Sequence, residues 1–235
     1  MKILSIDTTV VAGSIALSNG TMLVAQEQQG VAGTHSERLI PSIDHLLRLA
    51  CWRKEDVEAL AVAIGPGSFT GLRIGLAAAK GIALARNLPI AGVSSLRSLA
   101  LNGAGFPGTV VPLIDARRGE LFAWAARVTA DGSVEGLTDE FVAPPEVVIR
   151  RLQGTPGDLL LVGDGAIAYG DVLTGAIGGR ARLAVGTALR PQAINLAILA
   201  MERLEGGRGD DVVTVAPNYI RRSDAEIGFM GRPRR

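Results

Sequence analysis

The apolar positions change period several times along the chain, and each change predicts an element. Lys2 to Asp7 is a short apolar run closed by an acid, the pattern of a buried strand. Ser14–Ser18 and Thr21–Gln28 predict two further strands joined at Asn19-Gly20, a strong hairpin signal. Gly30 to Gly33 predicts a loop. Leu39, Ile43, Leu46, Leu47 and Ala50 then recur at helical spacing and predict a helix, capped by Thr34 or Ser36 and ending near Leu49. Asp56 to Ile64 predicts a fourth strand with its approach. The turn Gly65-Pro66-Gly67-Ser68-Phe69-Thr70-Gly71 follows, then a helix reaching Arg86. Ile90–Val93 predicts a fifth strand, and Ser94 or Ser95 caps a helix to Asn102. The first half therefore reads βββαβαβα.

Gly103–Gly108, with three glycines and a proline, is the best boundary in the chain. It divides the sequence into residues 1–103 and 104–235. Beyond it the pattern restarts. Val110–Asp115 is again a strand ending on an acid, Arg117-Arg118-Gly119 a turn, Glu120–Val128 a strand, Asp131-Gly132 a hairpin turn and Gly136–Phe141 a strand. Pro144 and Pro145 open a helix to Leu152. Asp158–Val162 predicts a strand, Ala166–Leu173 a helix, Leu183–Val185 a short strand and Gln192–Glu205 a strong helix. Leu4-Ser5-Ile6-Asp7 corresponds to Pro112-Leu113-Ile114-Asp115, and Ile64-Gly65-Pro66-Gly67 to Val162-Gly163-Asp164-Gly165. A repeated strand–Asp–hairpin–helix–strand–Gly-x-Gly unit predicts two like α/β lobes facing each other across a cleft.

Composition narrows the function classes. Apolar residues make up 48% and charged residues 20%, which is globular and not disordered. A net charge of +1 gives no global electrostatic case for nucleic-acid binding. The charge asymmetry lies at the end, in Arg221, Arg222, Arg232, Arg234 and Arg235, which reads as a solvated basic tail. Cys51 is the single cysteine, so no internal disulfide or cysteine-based zinc site is expected, in keeping with a reducing, cytoplasmic location. Asp7 interrupts the first apolar run too early for a signal peptide, and no run has the length of a membrane span.

The candidate chemistry fails position by position. The P-loop pattern needs Gly-Lys-Ser/Thr, but Leu72 follows Gly71. The dinucleotide fingerprint fails because Thr70 occupies its third glycine position. The serine elbow would need glycines where Pro66 and Thr70 stand, so Ser68 is not a nucleophile by motif. His35 and His45, the two histidines, lie on one helix about 15 Å and roughly 80° apart, too far to share an ion. Asp7 and Asp115, with Gly163 and Gly165, mark a candidate nucleotide cleft with bound magnesium. Against it, the glycine that lets phosphate approach the backbone is absent after both acids. The helix after Gly71 is apolar nearly all round and carries two small-residue stripes, Gly71-Gly75-Ala79 and Ala77-Gly81-Ala85. Such a helix is packed closely on more than one side, by its own lobe or by a partner subunit.

Five stretches together resemble one known family: Ile3-Leu4-Ser5-Ile6-Asp7-Thr8-Thr9, His35-Ser36-Glu37, Gly65–Gly75, Ile114-Asp115-Ala116-Arg117-Arg118 and Pro217-Asn218-Tyr219-Ile220-Arg221. This is the bacterial TsaB (YeaZ) family. The resemblance implies an actin-like, sugar-kinase-like (ASKHA), ribonuclease H-like fold of two tandem related lobes. It implies a non-catalytic role in making threonylcarbamoyl-adenosine at position 37 of ANN-decoding tRNAs, beside the catalytic paralogue TsaD and the ATPase TsaE. TsaD carries metal-binding histidines spaced H-x-x-x-H; here Leu39 stands four residues after His35. The chain is then expected to have no cofactor of its own, with ATP and magnesium handled by partner subunits, and to contact tRNA only through the complex. It is also expected to form a homodimer in isolation. The resemblance places the partner surface on the two helices of the first lobe, at Leu39, Ile43, Leu72, Leu76, Ala79 and Lys80. An ATP-dependent kinase of the same fold is the rival reading, and an M22-type peptidase a weaker one.

Overall fold

The computed structural model describes residues 1–28 and 35–221, without the side chains of His35 and Ser36. The loop expected over Gly30–Gly33, the cap expected at Thr34 or Ser36 and the arginines beyond Arg221 lie outside what is described. In chain order the first half comprises β1 (Lys2–Asp7), β2 (Ser14–Asn19), β3 (Met22–Gln28), α1 (His35–Leu49), β4 (Ala59–Gly65), α2 (Phe69–Arg86), β5 (Ile90–Ser94) and α3 (Ser95–Ala100). This is the predicted order. The second half comprises β6 (Thr109–Arg117), β7 (Glu120–Ala123), β8 (Ala126–Val128), β9 (Val134–Gly136), β10 (Phe141–Ala143), α4 (Pro145–Gln153), β11 (Leu159–Val162), α5 (Asp164–Ile177), β12 (Ala181–Leu183) and α6 (Ile194–Glu205).

Among the described residues the strands form two sheets, one ordered β3-β2-β1-β4-β5 and one ordered β10-β7-β6-β11-β12, with β8 and β9 appended to the second. The repeat seen in the sequence is a repeat of topology. β1 pairs antiparallel with β2 and parallel with β4, and β6 pairs antiparallel with β7 and parallel with β11. In both lobes the parallel strand leads into a glycine with positive φ, Gly65 at 105° closing β4 and Gly163 at 100° just after β11, and a helix follows, α5 at the next residue and α2 after Pro66, Gly67 and Ser68.

The central strands of the first sheet are buried on both faces, so they read as continuous apolar runs. Their alternation divides the work. Leu4, Ile6, Leu60 and Val62 pack with Leu39, Ile43, Leu46, Leu47, Leu76, Ala79 and Ala83 of α1 and α2. Ile3, Ala59, Ala61, Ala63, Ala91 and Val93 face the other way, onto Leu196, Ala197, Ala200 and Leu204 of α6. Alanines at alternate positions of β4 let α6 sit close to the sheet. The division at residue 103 does not anticipate this: the last helix of the second half completes the core of the first lobe.

Three strand expectations are corrected, the simplest being the last strand, which is Ala181–Leu183 and not Leu183–Val185. Glu120–Val128 is not one strand, because the chain changes its pairing at Trp124-Ala125. There the Trp124 indole N–H donates to the Thr138 carbonyl (2.9 Å), and the Ala125 N–H donates to the Thr138 hydroxyl (3.2 Å). Gly136–Phe141 is likewise two strand ends, β9 and β10, separated by the segment that carries Thr138. Trp124 also explains Gly136: a Cβ there would lie 2.9 Å from the indole ring.

Candidate functional site

The turn from β4 into α2 is built against the segment that follows β1. The Ser68 side chain caps α2 by accepting from the Gly71 N–H (3.3 Å), and the Ser68 N–H donates to the Thr9 carbonyl (2.7 Å). The Thr8 hydroxyl donates to the Gly71 carbonyl (2.7 Å). Thr8 and Thr9 are both buried. Asp7 is buried too, and one of its oxygens accepts from the Thr9 N–H (2.9 Å) and the Thr9 hydroxyl (2.6 Å), the geometry of an Asx turn. The acid that closes β1 thus fixes its own loop, and that loop fixes α2.

Between the lobes lies a cleft of about 680 Å³. One wall is Thr9, Pro66, Gly67, Ser68, Thr70 and Arg73; the other is Asp115, Arg117, Phe122 and Asp164. Of the four cleft positions expected from the sequence, only Asp115 lines it. Asp7 is absent from the lining, which corrects the idea of two carboxylates facing one another. Gly163 and Gly165 are packing glycines, since a Cβ on Gly163 would meet the Leu113 carbonyl at 2.2 Å and one on Gly165 the Leu121 side chain at 2.6 Å. They let α5 start directly over β6. The residue between them, Asp164, is the one that reaches the cleft.

Asp164 accepts from the Asp115 N–H (3.2 Å), and Asp115 is paired with Arg117 (3.2 Å). Burial pushes the Asp164 carboxyl up from 3.8 to about 6, with the Asp115 charge adding to the rise. An acid whose pKa is higher folded than unfolded binds more protons in the native state, so stability falls as pH rises from about 4 to about 6. Asp164→Asn keeps an acceptor for the Asp115 N–H and removes the buried charge. Urea unfolding should show this variant more stable than the parent by about 1–2 kcal/mol at pH 7.5, with the gain shrinking toward pH 5.

The six residues expected to form a partner surface on α1 and α2 are engaged within the chain itself. Leu39, Ile43, Leu72, Leu76 and Ala79 are all buried inside the first lobe, and Lys80 is engaged by its own chain, donating to the Val213 (2.9 Å) and Val215 (3.1 Å) carbonyls. The stripe Gly71-Gly75-Ala79 faces inward: a Cβ on Gly71 would lie 1.9 Å from the Thr8 carbonyl oxygen, and one on Gly75 2.2 Å from the Thr8 hydroxyl. The second stripe, Ala77-Gly81-Ala85, faces solvent, and a Cβ on Gly81 would meet nothing within 4 Å. Beside it, α1 and α2 enclose an apolar groove of about 680 Å³, with Ile40, Pro41, Leu47, Ile82 and Ala85 in its walls and Asp44, Arg48, Lys54 and Arg86 on its rim. His45 sits on α1 near Glu27 (3.3 Å), and Cys51 is an exposed free thiol. Among the described residues no helix is long and apolar enough to cross a membrane.

The residues after Val215 are the part of the cleft that sequence reasoning missed. Tyr219 stacks on Phe69 with ring centroids 5.3 Å apart, the Arg73 guanidinium lies over Phe69 at 3.7 Å, and Arg221 pairs with Glu120 at 3.0 Å. Arg221 is therefore bound and partly buried, not the start of a solvated tail. The usable signal was an aromatic and an isoleucine, Tyr219 and Ile220, standing just ahead of the basic run.

Comparison with known proteins agrees with this geometry. Residues 23–229 match the family model TsaD, tRNA N6-adenosine threonylcarbamoyltransferase. The Escherichia coli tRNA threonylcarbamoyladenosine biosynthesis protein TsaB is 34% identical over 99% of this chain and 100% of its own. This chain belongs to the TsaB family. The YeaZ structure from Pseudomonas aeruginosa, 28% identical, superposes with a TM-score of 0.76 over 93% of this chain and 100% of its own. The Acidaminococcus fermentans (R)-2-hydroxyglutaryl-CoA dehydratase component A, 15% identical, shares the fold alone, with a TM-score of 0.55 over 87% of this chain and 99% of its own. The fold is the ASKHA fold, and TsaB family membership supports a role in threonylcarbamoyl-adenosine modification of tRNA.

Proposed function

We propose that this TsaB-family chain is the non-catalytic subunit for threonylcarbamoyl transfer to adenosine 37 of ANN-decoding tRNAs, binding and supporting the catalytic paralogue TsaD, with the ATPase TsaE joining the assembly. The observation that carries it is the outward face of α1 and α2, where Ala77, Gly81, Leu84 and Ala85 stand exposed beside Ile40 and the groove. Small residues along an uncovered helix allow another helix to approach to roughly 8–10 Å between axes. A paralogue of the same fold presents a matching helix pair, so the pairing is pseudo-symmetric, and a second copy of this chain takes the same place in isolation. The charged rim sets register, and the apolar centre supplies the binding energy.

In this reading the chain has no cofactor of its own, ATP and magnesium belong to the partner subunits, and tRNA is contacted through the complex in the cytoplasm. The rival kinase reading has less support, because Asp7 is held in its own turn and Thr8 and Thr9 are committed to α2. Reconstitution of the modification from purified components is the direct test. Leaving this chain out should reduce threonylcarbamoyl-adenosine to background, and adding it back should restore it in proportion to complex formed. Full activity without the chain would refute the role. Turnover of Mg-ATP by the chain alone would favour the kinase.

A further inference from the structure

The chain makes a last excursion after α6, and its anchors fall into two grades. The first grade is firm. Asp210 accepts from the Gly92 N–H (2.6 Å) and pairs with Arg203 (2.5 Å), Val215 is buried in the first-lobe core, and Lys80 holds the carbonyls of Val213 and Val215. The second grade spans the lobes. The Asn218 N–H donates to the Ile64 carbonyl (2.6 Å) at the end of β4, and Tyr219 rests on Phe69 and receives the Arg73 Nε–H (3.3 Å). Both contacts belong to the first lobe. One residue later Ile220 packs against a core cluster that joins Ile114, Phe122 and Val162 of the second lobe to Val10, Leu96 and Leu99 of the first, and Arg221 pairs with Glu120 of β7 in the second lobe. Four consecutive residues thus cross the mouth of the cleft and are held at both ends.

We propose that Asn218–Arg221 is a releasable strap that locks the two lobes at one opening of the cleft. The strap lies against the residues that face each other across the gap, with Ser68 and Thr70 on one side and Asp115 and Asp164 on the other. Its own contacts are one backbone hydrogen bond at Asn218, one aromatic stack and one side-chain hydrogen bond at Tyr219, one partly buried aliphatic side chain and one partly exposed ion pair, each weak singly. The firm anchors before it keep the chain attached when those contacts part. Release leaves the shared core of Val10, Leu96 and Leu99 against Ile114 and Phe122 as the joint, and the lobes pivot on it at the cleft side, a hinge in which a short segment sets the closed angle.

The single native cysteine gives a direct test. Cys51 is exposed on the first lobe, and Gly175→Cys adds a site on α5 where a side chain meets nothing within 4 Å. Spin labels at the two sites in the full-length chain report the interlobe distance by double electron–electron resonance. The labelled parent should give one narrow distance distribution. Glu120→Arg and, separately, Tyr219→Ala should broaden it and add a second population, while circular dichroism keeps the helical signal of the parent. The swap Glu120→Arg with Arg221→Glu restores the ion pair and should return the narrow distribution, which loss of local packing would not do. A narrow, unshifted distribution in both single variants overturns the proposal, and so does a distribution already broad in the parent.

Discussion

Alanine at Gly71 should cost this protein about 3 kcal/mol or more of stability, although alanine is the better helix former. The added methyl group would stand 1.9 Å from the Thr8 carbonyl oxygen, inside any permissible contact, and that oxygen belongs to backbone. The loop cannot retreat cheaply, because Thr9 is tied to Asp7 and the Thr8 hydroxyl to Gly71 itself. Gly75→Ala should cost less, about 1–3 kcal/mol, since its methyl meets the Thr8 hydroxyl and forces loss of one buried hydrogen bond. Gly81→Ala should do the reverse. On the same helix its methyl enters open space, so the propensity gain of about 0.5–1 kcal/mol stands alone. Urea unfolding of the three variants is the measurement, and equal effects at Gly71 and Gly81 would contradict the assignment of the two stripes.

With the proposed docking on α2, glutamate at Gly81 should abolish pairing with TsaD and with a second copy while leaving the fold as stable as before. The side chain has room in the free chain, so no folding cost arises. In the proposed assembly its carboxylate would be trapped in an apolar helix contact without a partner, and loss of binding by at least about 100-fold is expected, or roughly 3 kcal/mol. Gly175→Glu, an equally open helical position on the second lobe, is the control and should leave affinity unchanged. Titration calorimetry with TsaD and size-exclusion chromatography of the chain alone read both effects. Unaltered affinity in Gly81→Glu would move the docking surface elsewhere.

The contrast between these glycines shows where sequence reading stops. The order of the first-lobe elements is legible because its boundaries carry local signals, such as Asn19-Gly20 for the hairpin and Ser94 for the α3 cap. Both small-residue stripes of α2 are legible as well, but which faces inward is decided by Thr8, sixty-odd positions earlier in the chain. Periodicity holds no record of that partner. The same reason hid the break at Trp124, which depends on Thr138, and the bound state of Arg221, which depends on Glu120. Asp7 and Asp115 end equivalent strands, yet Thr9 turns the first inward while Arg117 holds the second at the cleft. Matching positions in a repeat inherit geometry without inheriting exposure.

The return of α6 to the first sheet has a consequence for how the protein is made. As the chain leaves the ribosome, β1, β4 and β5 are complete long before Leu196, Ala197, Ala200 and Leu204 are available to cover Ile3, Ala59, Ala61, Ala63 and Val93. One apolar face of the first sheet must therefore wait through synthesis of nearly the entire second lobe. Alanines dominate that waiting face, which keeps its stickiness low while it is bare. The N-terminal half cannot finish folding first, and the two lobes reach their native state together.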